Sequence, residues 1–228
     1  MIEIRQGDAR ELVRDLDDDS VHCVITDPPY GVAFQSNFAK TEEGQEYTRA
    51  IANDDDLDQA LDLFASTMSP MMDKLKADAD VYVFTSWGIQ QPWLDMCHHI
   101  GLDFKMPLIW EKGWPGLGDL KGNWGCGYET ILYCKKGNRP VNYRRSAVLT
   151  FDKPVPSQQV HPTEKPVGLM AELIKVSTHA GDLVVDPFAG SGSTLSAAEL
   201  TGRHAIGFEL DEKYVASIER RLMQPGLF

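Results

Sequence analysis

The sequence predicts an α/β fold: a mainly parallel sheet with helices on both faces. Three observations carry that reading. Strand-length apolar runs alternate along the chain with segments whose apolar residues recur at helical spacing. Two of the runs, Val21-His22-Cys23-Val24-Ile25-Thr26 and Leu183-Val184-Val185-Asp186, are almost continuously apolar, as expected of strands covered on both sides. A Gly190-x-Gly192 turn then joins the second run to a helix, which lets backbone approach a nucleotide closely.

In chain order, Ile2 to Ile4 reads as a short strand ending at Gly7-Asp8, and Ala9 to Leu16 as a helix with Leu12, Val13 and Leu16 on one face. The strand 21–26 ends abruptly at Asp27-Pro28-Pro29-Tyr30, where two prolines fix φ and remove two backbone donors. Residues 31–56 are polar and aperiodic, the character of a lid or binding loop. Leu57, Leu61, Phe64, Met68, Met71 and Leu75 predict an amphipathic helix over 57–76, broken or bent near Pro70. Strands follow at 80–85, 104–110 and 128–134, with a helix from Ile89 to Ile100 closed by Gly101 and a Gly- and Trp-rich loop at 113–127. Residues 135–160 are basic and weakly periodic and read as a small insertion. Helices around Leu169–Val176, 193–201 and Tyr214–Leu222 bracket strands at 183–186 and 204–209.

At 228 residues the chain suits one domain spanning 1–228. A hydrophobic content of 43% and a charged content of 25% are ordinary for a soluble protein, and no run reaches membrane-span length. Cys23, Cys97, Cys126 and Cys134 show neither disulfide-framework nor C-x-x-C spacing, so a reduced, cytoplasmic protein is expected. Cys97-His98-His99 is a weak metal candidate, because adjacent helical residues point in different directions, and no metal is expected.

The net charge of −12 is unevenly spread: residues 1–80 hold 19 acids against 7 bases, and the rest balances at 15 each. Within the balanced part Lys135, Lys136, Arg139, Arg144, Arg145 and Lys153 cluster. Such a segment can supply phosphate contacts on an otherwise acidic surface; a solvated basic loop explains it equally well.

Asp27 at a strand's carboxyl end, a carbonyl on a rigid proline and the Tyr30 ring suit a flat, amino-bearing base, although a capped Pro-Pro turn also accounts for the four residues. Glu209, 17 residues beyond Gly192 at the end of the next strand, can accept from both hydroxyls of a ribose. There is no Gly-Lys-Ser/Thr and no third glycine of G-x-G-x-x-G, which favours a nucleoside ligand without a polyphosphate.

Four segments in this order, DPPY at 27–30, HPTEKP at 161–166, DPFAGSGST at 186–194 and GFE at 207–209, resemble S-adenosylmethionine-dependent DNA amino-methyltransferases of the permuted beta class. The resemblance spans nearly the whole chain. It implies a Rossmann-like class I methyltransferase fold, circularly permuted. It also implies cofactor contacts from Asp186, Phe188, Gly190 and Gly192, a ribose contact from Glu209, and Thr163 and Lys165 near the methionine portion. Asp8 matches the acid that meets the cofactor's adenine amino group, or else caps the helix that follows it.

The activity implied is adenine-N6 methylation of duplex DNA, with Asp27, Pro28, Pro29 and Tyr30 catalytic and the target base flipped out onto Tyr30. Lys135, Lys136, Arg139, Arg144 and Arg145 are the candidate DNA contacts, Arg144-Arg145 foremost, and 135–160 is the candidate target-recognition insertion. Its shortness implies a short recognition sequence or help from a second subunit, and a homodimer is compatible. Cytosine-N4 methylation uses the same amino chemistry, but Ser more often stands at the Asp27 position there. A non-catalytic DNA-binding partner is the reading from another class. Methylation at cytosine carbon 5 needs a cysteine beside a proline, and no cysteine here has one.

Overall fold

The computed structural model describes residues 1–31, 56–113, 122, 124–154 and 164–223. Its strands are β1 (Ile2–Gln6), β2 (Val21–Thr26), β3 (Leu75–Thr85), β4 (Asp103–Glu111), β5 (Tyr128–Lys136), β6 (Val148–Thr150), β7 (Leu183–Asp186) and β8 (His204–Glu209). The helices are α1 (Ala9–Leu12), α2 (Leu57–Lys74), α3 (Gln90–His99), α4 (Val167–Ser177), α5 (Ser193–Leu200) and α6 (Glu212–Leu222). The strands form one sheet in the order β1-β8-β7-β2-β3-β5-β4-β6. Among these strands β5 alone runs against the rest, antiparallel to both β3 and β4.

The continuous apolar run of β2 follows from its central place. Val24 packs into one core with Phe64, Met68, Met71 and Trp93 of α2 and α3, whereas Cys23 and Ile25 face a second core with Leu169, Leu173, Leu195 and Ile218 of α4, α5 and α6. Burial on both faces matches the successive apolar side chains of Cys23, Val24 and Ile25. Acidic caps fix three helix starts: Asp8 accepts from Arg10 N, Asp56 from Asp58 N and Gln59 N, and Asp211 from Lys213 N.

The structure departs from the sequence pattern in four places. α1 is shorter than predicted and gives way to a 3-10 turn at Val13–Asp15. α2 runs unbroken through Pro70 to Lys74, against the broken alternative. β3 starts at Leu75, earlier than the predicted strand, because Val21 of β2 pairs with Leu75. Residues 148–150 of the weakly periodic segment form β6, which pairs parallel to β4 at the sheet edge.

Gly207 sets the distance between β8 and α5. A Cβ there would lie 2.7 Å from Leu195 Cδ1 and 3.0 Å from Ala189 Cβ. Gly207→Ala is therefore expected to destabilise the fold by about 1–3 kcal/mol, the usual range for overpacking, as measured by urea unfolding; an unchanged midpoint would show that α5 shifts without cost.

Candidate active site

β2, β7 and β8 are consecutive parallel neighbours, and each ends in an acid at the same edge of the sheet: Asp27 just after β2, Asp186 ending β7 and Glu209 ending β8. Open parallel sheets place ligands at this edge.

The Gly190-Gly192 turn is built around the second and third of these acids. Gly190 N donates to Glu209 Oε2 at 2.9 Å and Asp211 N to Glu209 Oε1 at 2.9 Å. Phe188 N donates to Asp186 Oδ1 at 3.1 Å and Thr194 Oγ1 to Asp186 Oδ2 at 2.6 Å. Gly190 and Gly192 have φ of +51° and +76°, which glycine adopts without the Cβ penalty. Among the described residues, a Cβ on Gly190 would meet no atom nearer than Phe188 O at 3.9 Å, whereas one on Gly192 would press Ile218 Cγ1 at 2.9 Å. Thus Gly190 borders open space and Gly192 lies tight against α6. Burial pushes the Asp186 carboxyl up to about 7 despite its two donors, and burial also raises Glu209.

Asp27 anchors a second cluster. Tyr30 Oη donates to Asp27 Oδ1 at 2.6 Å, and Lys165 Nζ to Asp27 Oδ2 at 2.6 Å. Lys165 Nζ also lies 3.3 Å from Glu129 Oε2, and Lys112 donates to Glu129 Oε1. The charges alternate along Asp27, Lys165, Glu129 and Lys112, so the cluster is neutral as a whole. Desolvation raises the Asp27 carboxyl, outweighing the Lys165 ammonium beside it. Desolvation opposes the charge on Lys165, but Asp27 and Glu129 outweigh it and hold that ammonium above its usual range. Desolvation likewise works against Glu129, yet Lys165 and Lys112 keep its carboxyl below the ordinary value.

Lys165 lies against Asp27; Thr163 falls outside the described residues. Tyr30 packs edge-on to Trp93, with centroids 6.3 Å apart, besides holding Asp27. Asp8 caps α1 and engages the Arg10 guanidinium through both oxygens, the capping alternative. Pro28 is buried and Pro29 half-buried beside it.

The basic cluster divides. Lys135 is buried and sits 2.7 Å from Asp80 Oδ1, Lys136 Nζ donates to the carbonyls of Met72 and Leu75, and Arg139 donates to that of Ser177. These three cations are committed to the fold and are withdrawn as DNA contacts: a lysine buried against its carboxylate has no reach to a phosphate. Arg144 and Arg145 are exposed, the latter paired with Glu172 at 2.9 Å. In α3, Cys97 is buried while His98 and His99 are exposed, so the three do not converge.

Glu129 and Lys112 escaped the sequence reading. Each belongs to no motif, and only the pairing of Trp110 with Glu129 across β4 and β5 brings them to the site.

Solved structures with the same architecture include the M1.HpyAVI–SAM complex, 24% identical with a TM-score of 0.75, covering 98% of this chain and all of that one. The PvuII DNA methyltransferase, described as cytosine-N4-specific, is 21% identical with a TM-score of 0.76 over 99% of this chain and 87% of that one. The fold is the Rossmann-like methyltransferase fold. A family model described as DNA methylase, of the N6/N4 type, matches residues 21–220, and the chain belongs to that family. Among curated relatives, YubD of Escherichia coli (strain K12) is 30% identical, over 95% of this chain and 88% of its own length. The DNA adenine methyltransferase YhdJ of the same organism is 25% identical, over 96% of this chain and 82% of its own.

Proposed function

We propose that the protein transfers the methyl group of S-adenosylmethionine to the exocyclic N6 of an adenine in duplex DNA. The observation that carries this is the placing of an Asp27-Pro28-Pro29-Tyr30 acceptor site after β2 beside an acid-edged glycine turn on β7, the neighbour of β2, and on β8, the next strand.

The residues fit the cofactor. Glu209 would hold the ribose hydroxyls, Phe188 and the Gly190–Gly192 turn would lie along the nucleoside, and Asp186 would face its positive charge; Asp8 stays a candidate for the adenine amino group through any acceptor capacity its cap leaves. Open space at Gly190 and an edge lined by three carboxylates suit a cationic nucleoside. When bound, S-adenosylmethionine supplies an electrophilic methyl on sulfur.

The chain's own part is to prepare the nucleophile. The amino nitrogen of adenine is weakly nucleophilic because its lone pair is delocalised into the ring. Acceptance of its two hydrogens by the Asp27 carboxylate and the Pro28 carbonyl favours a pyramidal nitrogen with a directed lone pair, which is positioning plus electrostatic stabilisation. Tyr30 would stack on the flipped base, and flipping costs a few kcal/mol that pocket and phosphate contacts offset. Arg144 and Arg145 are the remaining candidate phosphate contacts.

Asp rather than Ser at position 27 supports adenine, as does the activity in YhdJ's name; the PvuII enzyme keeps cytosine-N4 as the second reading. Incubation with methyl-labelled S-adenosylmethionine and DNA, followed by nucleoside analysis, is expected to yield N6-methyl-2′-deoxyadenosine. N4-methylcytosine would reverse the choice of base, and no transfer would restore the non-catalytic reading.

The raised Asp186 predicts a pH dependence. Its carboxyl is protonated in the fold at pH values where the unfolded chain has released the proton, so its contribution to stability is present below about pH 4 and lost as pH rises through about 7. A cation bound beside it favours the ionised form. Affinity for S-adenosylmethionine is therefore expected to rise from about pH 5 to about pH 7 and then level, as followed by calorimetry. In Asp186→Asn the rise should disappear; an unchanged slope would assign it to another group.

A further inference from the structure

We propose that Glu129 is a positioning residue for the amino-group acceptor Asp27, acting through Lys165; the inference rests on the methyl-transfer reading of the site. The four charged groups come from four separate segments: Asp27 after β2, Glu129 on β5, Lys112 after β4 and Lys165 ahead of α4. Between β2 and β5 lies β3, and the Lys165 ammonium crosses above it, 5.2 Å from the centre of the Phe84 ring. That ammonium is buried between Asp27 Oδ2 at 2.6 Å and Glu129 Oε2 at 3.3 Å. The Glu129 Oε2 atom is itself buried and makes no hydrogen bond of good geometry, so its charge is directed at Lys165. The other oxygen is fixed by Lys112, which in turn lies over the Trp110 ring at 5.0 Å.

The consequence for Asp27 follows from electrostatics. Lys165 already donates to Asp27 Oδ2 at 2.6 Å, and the second carboxylate at 3.3 Å weakens that hold, so that an incoming amino hydrogen can displace the ammonium from the oxygen. Glu129 shares the ammonium, and Lys112 prevents Glu129 from becoming an unpaired buried charge. Removing the Glu129 charge leaves two lysines against one carboxylate, and Lys165 then belongs to Asp27 alone.

The groups facing Asp27 are Lys165, Glu129, Tyr30 and Asp186; those facing Glu129 are Lys165 and Lys112, with Lys153 near Lys112. Glu129 raises the Asp27 carboxyl, and Lys165 lowers it. Loss of the first and tightening of the second act in the same direction.

The test is Glu129→Gln, which keeps shape and removes charge. In the free protein, the carbon-13 titration of the Asp27 carboxyl should move to lower pH. In the transfer assay, kcat should fall on the order of 10²-fold, as for a small misplacement of a reacting group. KM for S-adenosylmethionine should stay within about twofold. Glu111→Gln, which removes a neighbouring acid that accepts from Thr150 at the sheet edge, should change neither. Should Glu129→Gln fold poorly, Glu129→Gln/Lys112→Gln removes the pair together and is expected to give both effects. An unmoved Asp27 titration, a wild-type kcat, or equal losses of kcat and cofactor affinity would each overturn the proposal. If the wild-type protein transfers no methyl group, the methyl-transfer reading fails, and the Asp27 titration still decides whether Glu129 governs that carboxylate.

Discussion

Asp27→Ala is expected to abolish methyl transfer while leaving S-adenosylmethionine binding nearly intact. The carboxylate is the acceptor proposed to hold the target amino group, and loss of one such preorganised group lowers kcat by roughly 10²–10³-fold. The proposed cofactor contacts lie on β7, β8 and the turn between Asp186 and Ser193, where Asp186 accepts from Phe188 and Thr194 and Glu209 from Gly190 and Asp211. Single-turnover transfer and calorimetric cofactor binding separate the two quantities. A structural role would look different. Asp27 and Glu129 both hold the buried Lys165, and removal of Asp27 shifts that ammonium toward Glu129. If this were its main role, cofactor affinity, thermal stability and turnover would decline together in Asp27→Ala, and Asp27→Asn, which keeps the shape and one acceptor oxygen, would restore all three. Under the catalytic reading Asp27→Asn stays impaired in kcat alone, because its amide presents a donor where the base also presents one.

How far the sequence reveals this molecule depends on whether a residue's role is local or made by pairing. β2, β7 and β8 are legible because burial on both faces leaves near-continuous apolar runs, and the turn at Gly190 is legible because positive φ demands glycine. β6 is not. Three residues with only Leu149 buried carry no period, and the strand exists through its ladder to β4 and the bond from Trp110 Nε1 to Phe151 O. The basic cluster misleads for the same reason. Lys135 reads as a surface cation until β3 sets Asp80 directly opposite it. Lys165 shows the limit most clearly: its motif assigns it to the site, but which charged group it touches is decided by residues 138 positions back in Asp27 and far off in Glu129.

Glu209→Ala is expected to weaken S-adenosylmethionine binding on the order of 10²-fold, since hydrogen bonds to a charged acceptor contribute about 1.5–3 kcal/mol each. Glu209 also accepts from Gly190 N and Asp211 N and so helps shape the turn proposed to border the cofactor. A weakened turn and a lost ribose contact would both lower affinity. They separate when the ligand is varied along with the protein. A cofactor analogue lacking the ribose 2′-hydroxyl should bind the wild-type protein more weakly than S-adenosylmethionine, yet bind Glu209→Ala equally well, because the group that distinguishes the two ligands is gone. If the variant instead preserves the full preference for the hydroxyl while both affinities drop, Glu209 acts by holding Gly190 in place, and the ribose must be recognised elsewhere along the β8 edge.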